Sequence, residues 1–332
     1  MITVGIPKSL LYYQYYPMWK TFFHKLGAEV VLSEPTSRPM LITGSARVVS
    51  ETCLPVKVFC GHVVSLVGKC DYVFIPAVRS LDKGAYNCSK FLGLPDMVKA
   101  VVPECPPILD VDIDVSKGKR DLYASIYRLG RRFSWSPFKV KQAAESAWQA
   151  HHDYQEMMRS ERLTPPQALE KLYGKTESEP SEQYPDNPSS VTIAIIGHPY
   201  VIYDEYINHR LVHRLRSMGV NIRVSEGVRQ DDLNRNITEL VGKRYWTYED
   251  EVVGAGGYYL NNGVDGVISV VPFGCGPDSL MIDLLQRHAK RNHARPFMSL
   301  AIDEHTAEAG LVTRLEAFLD MLARRKRQNL CA

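Results

Sequence analysis

Hydrophobic and polar positions follow the same order in two halves of this chain. In the first half, the apolar run Val4-Gly5-Ile6 closes on Pro7. A helical stretch then opens near Leu11-Tyr12-Tyr13 and ends at Lys25-Leu26-Gly27, before a second apolar run over Val30-Val31-Leu32. In the second half, Ile195-Ile196-Gly197-His198-Pro199 leads through Ile202-Tyr203-Asp204 and a helical stretch to Ser217-Met218-Gly219. The run Val220-Asn221-Ile222-Arg223-Val224 follows. Pro7 to Gly27 and Pro199 to Gly219 are equally spaced. Each copy predicts a strand, a Gly-x-Pro turn, an amphipathic helix, a glycine C-cap and a second strand, which is half of a βαβ unit.

Two later runs extend the parallel. Asp71-Tyr72-Val73-Phe74-Ile75-Pro76 and Asp265-Gly266-Val267-Ile268-Ser269-Val270-Val271-Pro272 read as buried strands, each closing on a proline. The predicted fold is α/β: two Rossmann-like lobes with parallel sheets, related by a weak internal repeat. The N-terminal lobe is placed at 1–116, a polar, helix-rich segment at 117–173, a linker at 174–190 and the C-terminal lobe at 191–332. The linker rests on its Glu, Ser, Pro, Asn and Asp content. Arg324-Arg325-Lys326-Arg327 reads as a short solvated cationic tail after a helix.

Composition narrows the function classes. The 332 residues are 45% hydrophobic and 23% charged, and 40 basic against 37 acidic residues leave a net charge of +3. Such a balance makes no electrostatic case for nucleic acid. No run of about 18 apolar residues predicts a membrane helix, and the start of the chain reads as a strand rather than a signal peptide. Seven cysteines, an odd number, argue against a disulfide framework and for a reducing cytoplasm.

Three of those cysteines sit on turns: Cys53 in Glu51-Thr52-Cys53-Leu54-Pro55, Cys88 in Asn87-Cys88-Ser89-Lys90, and Cys275 in Phe273-Gly274-Cys275-Gly276-Pro277. A cysteine packed for its apolar character usually lies inside a strand or helix, as expected for Cys60. Cys88 and Cys275 both follow the carboxyl ends of predicted strands, where open α/β sheets bind ligands. Two facing lobes would bring the thiols into one cleft. Thiolates are soft donors suited to iron, and three of them on a four-iron cluster leave one iron open to substrate. The expected cofactor is an iron–sulfur cluster held by Cys53, Cys88 and Cys275, with the N–H groups of Gly274 and Gly276 facing its sulfurs. His198, Tyr203, Glu304 and His305 are expected to line the cleft or support the site. His305 and Glu308, one helical turn apart, could pair on a metal, but a helix N-terminus explains them better. Walker-type, GxGxxG and Gly-x-Ser-x-Gly motifs are absent.

Several stretches together resemble a known family: GIPKSLLYYQYYPMWKTFFHKLG, ETCLPVKVFCGHV, YNCSKFLGLPD, IIGHPYVIYDEYIN, FGCGPDS and IDEHTAEAGLVTRLEAF. They are similar to the acyl-CoA dehydratase activase-related family, allied to 2-hydroxyacyl-CoA dehydratase and benzoyl-CoA reductase subunits and to double-cubane-cluster proteins. The resemblance implies a cluster, 4Fe-4S or double-cubane 8Fe-9S, on the same three cysteines. It also implies low-potential electrons from a separate ATP-hydrolysing 4Fe-4S activase, a small-molecule substrate and oxygen sensitivity. One chain or a homodimer could supply the ligands of a double cubane. Ser89 departs from the Cys-Pro-Lys of that family, and Cys60 stands where cysteine is unusual. The alternatives are a radical 2-hydroxyacyl-CoA dehydratase-like subunit, a non-catalytic cluster carrier or scaffold, and an iron-free α/β binding protein.

Overall fold

A computed structural model describes residues 1–174, 186–291 and 295–330. Part of the expected linker, 175–185, and Cys331 lie outside the described residues. The N-terminal lobe runs β1 (Thr3–Ile6), α1 (Tyr12–Lys25), β2 (Glu29–Leu32), α2 (Arg38–Ser45), α3 (Leu54–Ser65), β3 (Tyr72–Phe74), β4 (Ala77–Ser80), α4 (Ser89–Leu92), α5 (Leu94–Val101), β5 (Ile108–Leu109) and β6 (Asp112–Asp114). A helical segment follows: α6 (Lys119–Gly130), α7 (Pro137–Glu161) and α8 (Pro165–Tyr173). The C-terminal lobe begins with β7 (Thr192–Ile196), α9 (Pro199–Ile202), α10 (Leu211–Ser217), β8 (Asn221–Val224) and α11 (Gln230–Val241). It continues through a π-helical turn (Asp250–Gly254), α12 (Ala255–Asn261), β9 (Gly266–Pro272), α13 (Gly276–Arg291), β10 (Phe297–Ile302) and α14 (Glu308–Leu330).

The two main sheets are parallel throughout and share one strand order. One runs β2-β1-β3-β5 and the other β8-β7-β9-β10. The repeated pattern thus folds into matching topologies, and Gly27 and Gly219 both take positive φ just past their helices, where a Cβ would be strained. β4 and β6 form a further short parallel pair that the sequence pattern did not foretell. The basic stretch Arg324–Arg327 is no tail: it lies within α14, where Lys326 reaches Asp265 and the Ser190 carbonyl.

Period-two alternation sorts β7 between two cores. Ile193 and Ile195 join a buried cluster with Leu54, Val58 and Phe91 of the N-terminal lobe. Ala194 and Ile196 face the other way, onto Val253, Tyr259 and Leu285. The first of these clusters lies between the lobes, so neither lobe completes it alone. A third core joins Val4, Ile6 and Phe23 to Ala143, Ala147 and Tyr154 of α7. The Gly254-Ala255-Gly256-Gly257 stretch is a packing device: a Cβ on Gly256 would stand 2.5 Å from Leu285.

Helix α1 contains Pro17, whose ring nitrogen cannot bond the Tyr13 carbonyl. The Tyr154 hydroxyl of α7 donates to that carbonyl at 2.8 Å, so the buried acceptor is satisfied from outside its helix. The helical segment is thereby tied to the lobe at the point where α1 is weakest. Replacing Tyr154 by Phe removes this donor from the carbonyl. The expected loss is about 1–3 kcal/mol in urea unfolding, and an unchanged midpoint would show that the hydroxyl contributes nothing.

Candidate functional site

The three turn cysteines meet at the junction of the lobes. Cys53 is the N-cap of α3, Cys88 is the N-cap of α4, and Cys275 immediately precedes α13. Pro55 and Pro277 near the helix starts favour these positions, because proline fits the first turn. Gly274 makes the approach of the loops possible. Its φ is +81°, and a Cβ there would stand 3.3 Å from the Glu51 carbonyl and 3.4 Å from the Cys53 Cα. Around Gly276 the space is open.

All three thiols are half-buried and free of disulfides, and their charges act on one another. Burial first, then the neighbouring Cys88 and Asp278, pushes the Cys53 thiol up to about 11. Burial and the Asp278 carboxylate push Cys275 further in the same direction. Opposing them, the Val56 N–H faces the Cys53 sulfur, the Asp278 N–H faces the Cys275 sulfur, and the Lys90 cation lies near Cys53. These donors sit at helix N-termini, whose dipoles favour negative charge.

Among the described residues, no three His, Cys, Asp or Glu side chains are gathered closely enough to hold one metal ion. Thiolates are soft donors, so the donor chemistry of the trio would fit iron.

Behind Cys275 lies a buried charge relay. His198, the N-cap of α9, places Nε2 2.7 Å from Asp278 Oδ1 and Nδ1 2.8 Å from Glu251 Oε2. Burial alone would lower the imidazole pKa, but the two carboxylates outweigh it and hold the pKa well above its ordinary value. The ring stacks on Tyr200 at 5.0 Å. Glu251 rides on the π-helical turn, a feature often found at functional sites. Its other oxygen accepts a hydrogen bond from Gln14 of α1. Sequence reasoning named His198 but missed Asp278 and Glu251. Asp278 is three residues beyond Cys275 and could have been found as a first-turn acid, whereas Glu251 carries no local signal.

The other expected residues are spread around this centre. Tyr203 is buried and donates its hydroxyl to Glu226 at 3.0 Å. Glu304 closes an ion pair of 2.5 Å with Lys57, itself 3% exposed and one turn beyond Cys53 on α3. His305 is exposed on the β10–α14 loop. Glu308 is taken by Arg214. Cys60 is fully buried in α3, as expected of an apolar filler.

A second polar link joins the lobes nearby. The His62 ring nitrogens bond the hydroxyls of Ser33 and Thr36, both at 2.8 Å, and Thr36 donates to Asp204 of the other lobe. Ser33 Oγ already accepts from the Lys8 N–H.

The CoA enzyme activase uncharacterised domain (DUF2229) matches residues 3–228. That is well over half of the chain, and the chain belongs to this family. The match contains Cys53, Cys88 and His198, and it ends before Glu251, Cys275 and Asp278. No curated protein matches the chain. Among the described residues, no helix is long and apolar enough to cross a membrane.

His62 yields a pH test. Burial, with Lys8 adding to it, lowers its pKa to about 3, against an unfolded value of about 6.5. The folded chain thus favours the neutral ring. This contribution is complete above about pH 6.5 and is lost as pH falls towards 3. Asp204, raised by burial to about 6, acts in the opposite direction, so a difference measurement isolates the ring. The stability gap between wild type and His62→Gln should narrow from about pH 7.5 to pH 5 in urea titrations. A widening gap would mean that the folded ring is charged.

Proposed function

We propose that this chain holds an iron–sulfur cluster on Cys53, Cys88 and Cys275 and works as the reductase or dehydratase-type partner of an ATP-hydrolysing activase. The observation that carries the reading is the meeting of three thiols from two lobes, each at a helix N-terminus, in a half-buried pocket.

The protonation chemistry supports a cluster over a nucleophilic thiol. Reactive cysteines have lowered pKa values, whereas Cys53 and Cys275 are both pushed up. Buried thiols in this state are poor nucleophiles, but bound metal displaces the proton and keeps the thiolate. Mutual repulsion among three nearby thiolates, unfavourable in the free pocket, turns into attraction to shared iron. The cluster, 4Fe-4S or double-cubane 8Fe-9S, would supply low-potential electron transfer and an iron open to a small substrate.

The chain's own residues supply the rest. The N–H groups of Val56 and Asp278 face the sulfurs and favour their anionic form. The Lys57–Glu304 pair pins the start of α3 to the opposite lobe. Protonated His198, between Asp278 and Glu251, keeps a proton beside the pocket without placing it on a thiol. Membership of a CoA enzyme activase family supports a setting of CoA-thioester chemistry and an activase as electron donor.

Anaerobic reconstitution with iron and sulfide tests this reading. The full chain should retain about four or eight irons with matching acid-labile sulfide, reflecting a single or double cubane. Cys275→Ala should lose them, and Cys105→Ala, altered outside the trio, should retain them. Equal iron in the two variants, or none in the wild type, would sink the proposal.

A further inference from the structure

The helical segment is charged unlike the rest of the chain. Residues 117–141 contain eight Lys or Arg against one acid, Asp121, whereas the whole chain has a net charge of only +3. Lys117 is paired with Asp112 and Asp114, and Lys141 with Glu145. Lys119, Arg120, Arg128, Arg131, Arg132 and Lys139 are exposed, and among the described residues no carboxylate meets them. Between Leu122 and Ala144 there is no acid at all.

Two large rings project from the corner where α6 turns into α7. Trp135 is 78% exposed and Phe138 is 75% exposed. The corner does not lack a core. Leu129, Val140 and Ala143, on its inner side, belong to the cluster beneath α1 and α7, which contains no cysteine. Gly130 lets α6 close on α7, since a Cβ there would stand 2.4 Å from Val140. Phe133 packs edge-on against Phe23, Ser136 caps α7 by accepting from the Lys139 N–H, and Pro137 fits the first turn. The turn is held from inside, with Trp135 and Phe138 left outside. The Arg131 guanidinium lies 4.4 Å from the centre of the Trp135 ring.

Exposed apolar groups gathered in one place mark an interaction surface, and the unpaired cations around them call for a negative partner. A second copy docked symmetrically would set like charge against like. A nucleic acid strand stacks its bases on free ring faces, and Arg131 already covers one face of Trp135. An acidic protein would have to supply a pocket for two rings on a projecting turn. A bilayer makes no such demand. Its interface takes a Trp with the ring inside and the N–H wet, while Lys and Arg of the same turn meet the headgroups. Clusters of about four to eight Lys or Arg anchor proteins to acidic lipids, and residues 128–141 hold five.

We propose that the α6–α7 corner seats this protein on an anionic phospholipid surface. Trp135 and Phe138 enter the interface, and Arg128, Arg131, Arg132 and Lys139 lie on the headgroups. The chain rests on the bilayer and does not span it, in keeping with the helices described. The surface does not draw on the cysteines, so its test stands apart from that of the cluster.

Cosedimentation of the full chain, with and without iron, tests this on vesicles of phosphatidylcholine and phosphatidylserine in a ratio of about 2:1. Binding is expected in both forms, and it should fall at least about tenfold on pure phosphatidylcholine or in about 0.5 M salt. Trp135→Ala/Phe138→Ala and Arg131→Gln/Arg132→Gln alter exposed side chains only, and each should weaken binding at least about tenfold. Arg324→Gln/Arg325→Gln, exposed cations on α14, should leave it unchanged. No binding to the mixed vesicles, or equal loss in the α14 variant, would overturn the proposal. Binding that ignores the ring variant, or tighter binding to an RNA oligonucleotide or to polyglutamate than to the vesicles, would overturn it too and give the corner to a soluble polyanion.

Discussion

An imidazolium held between two carboxylates is the contact on which the rest of this molecule depends. His198 starts α9, Asp278 lies in the first turn of α13, and Glu251 sits on the π-helical turn. Three elements of the C-terminal lobe are therefore fixed to one ring, and Gln14 extends the set to α1 of the other lobe. Removing any one charge would strand the others in a buried setting, which costs far more than an exposed pair contributes. The position of Cys275 follows from this arrangement, because its helix is held by Asp278 three residues further on.

The same logic recurs wherever the lobes touch. Lys57 with Glu304, Thr36 with Asp204, and the Tyr13 hydroxyl with the Tyr203 carbonyl all cross the junction, and most are buried or half-buried. Hydrophobic area drives the lobes together through the shared core. Polar pairs fix the register, since each partner left unmatched by a slip would be a buried unpaired group. A junction built in this way holds side chains from both lobes at a set spacing.

Much of the fold was legible because it rests on local signals. The Gly-x-Pro turns, the glycine caps and the apolar runs at matched offsets encode two parallel sheets of identical strand order. The turn cysteines were visible for the same reason, since glycine and proline mark where a helix begins. What escaped was set by distant partners. Glu251 looks like one acid in a polar stretch, and only its burial against His198 gives it meaning. Pro17 sits inside α1, and the Tyr154 hydroxyl that reaches the carbonyl it cannot bond comes from far along the chain. The supposed basic tail was misjudged because Lys326 finds Asp265 through folding and not through sequence.

The core shared between the lobes also has a consequence in time. Cys53 and Cys88 are synthesised before Cys275, which follows β9 in the C-terminal lobe. The turn at Gly274 must then come to rest against Glu51 and Cys53. Until it does, the N-terminal lobe exposes part of a core meant for its twin and presents two thiols without the third. The three-cysteine pocket is thus completed by the meeting of the two lobes and not by the folding of either half.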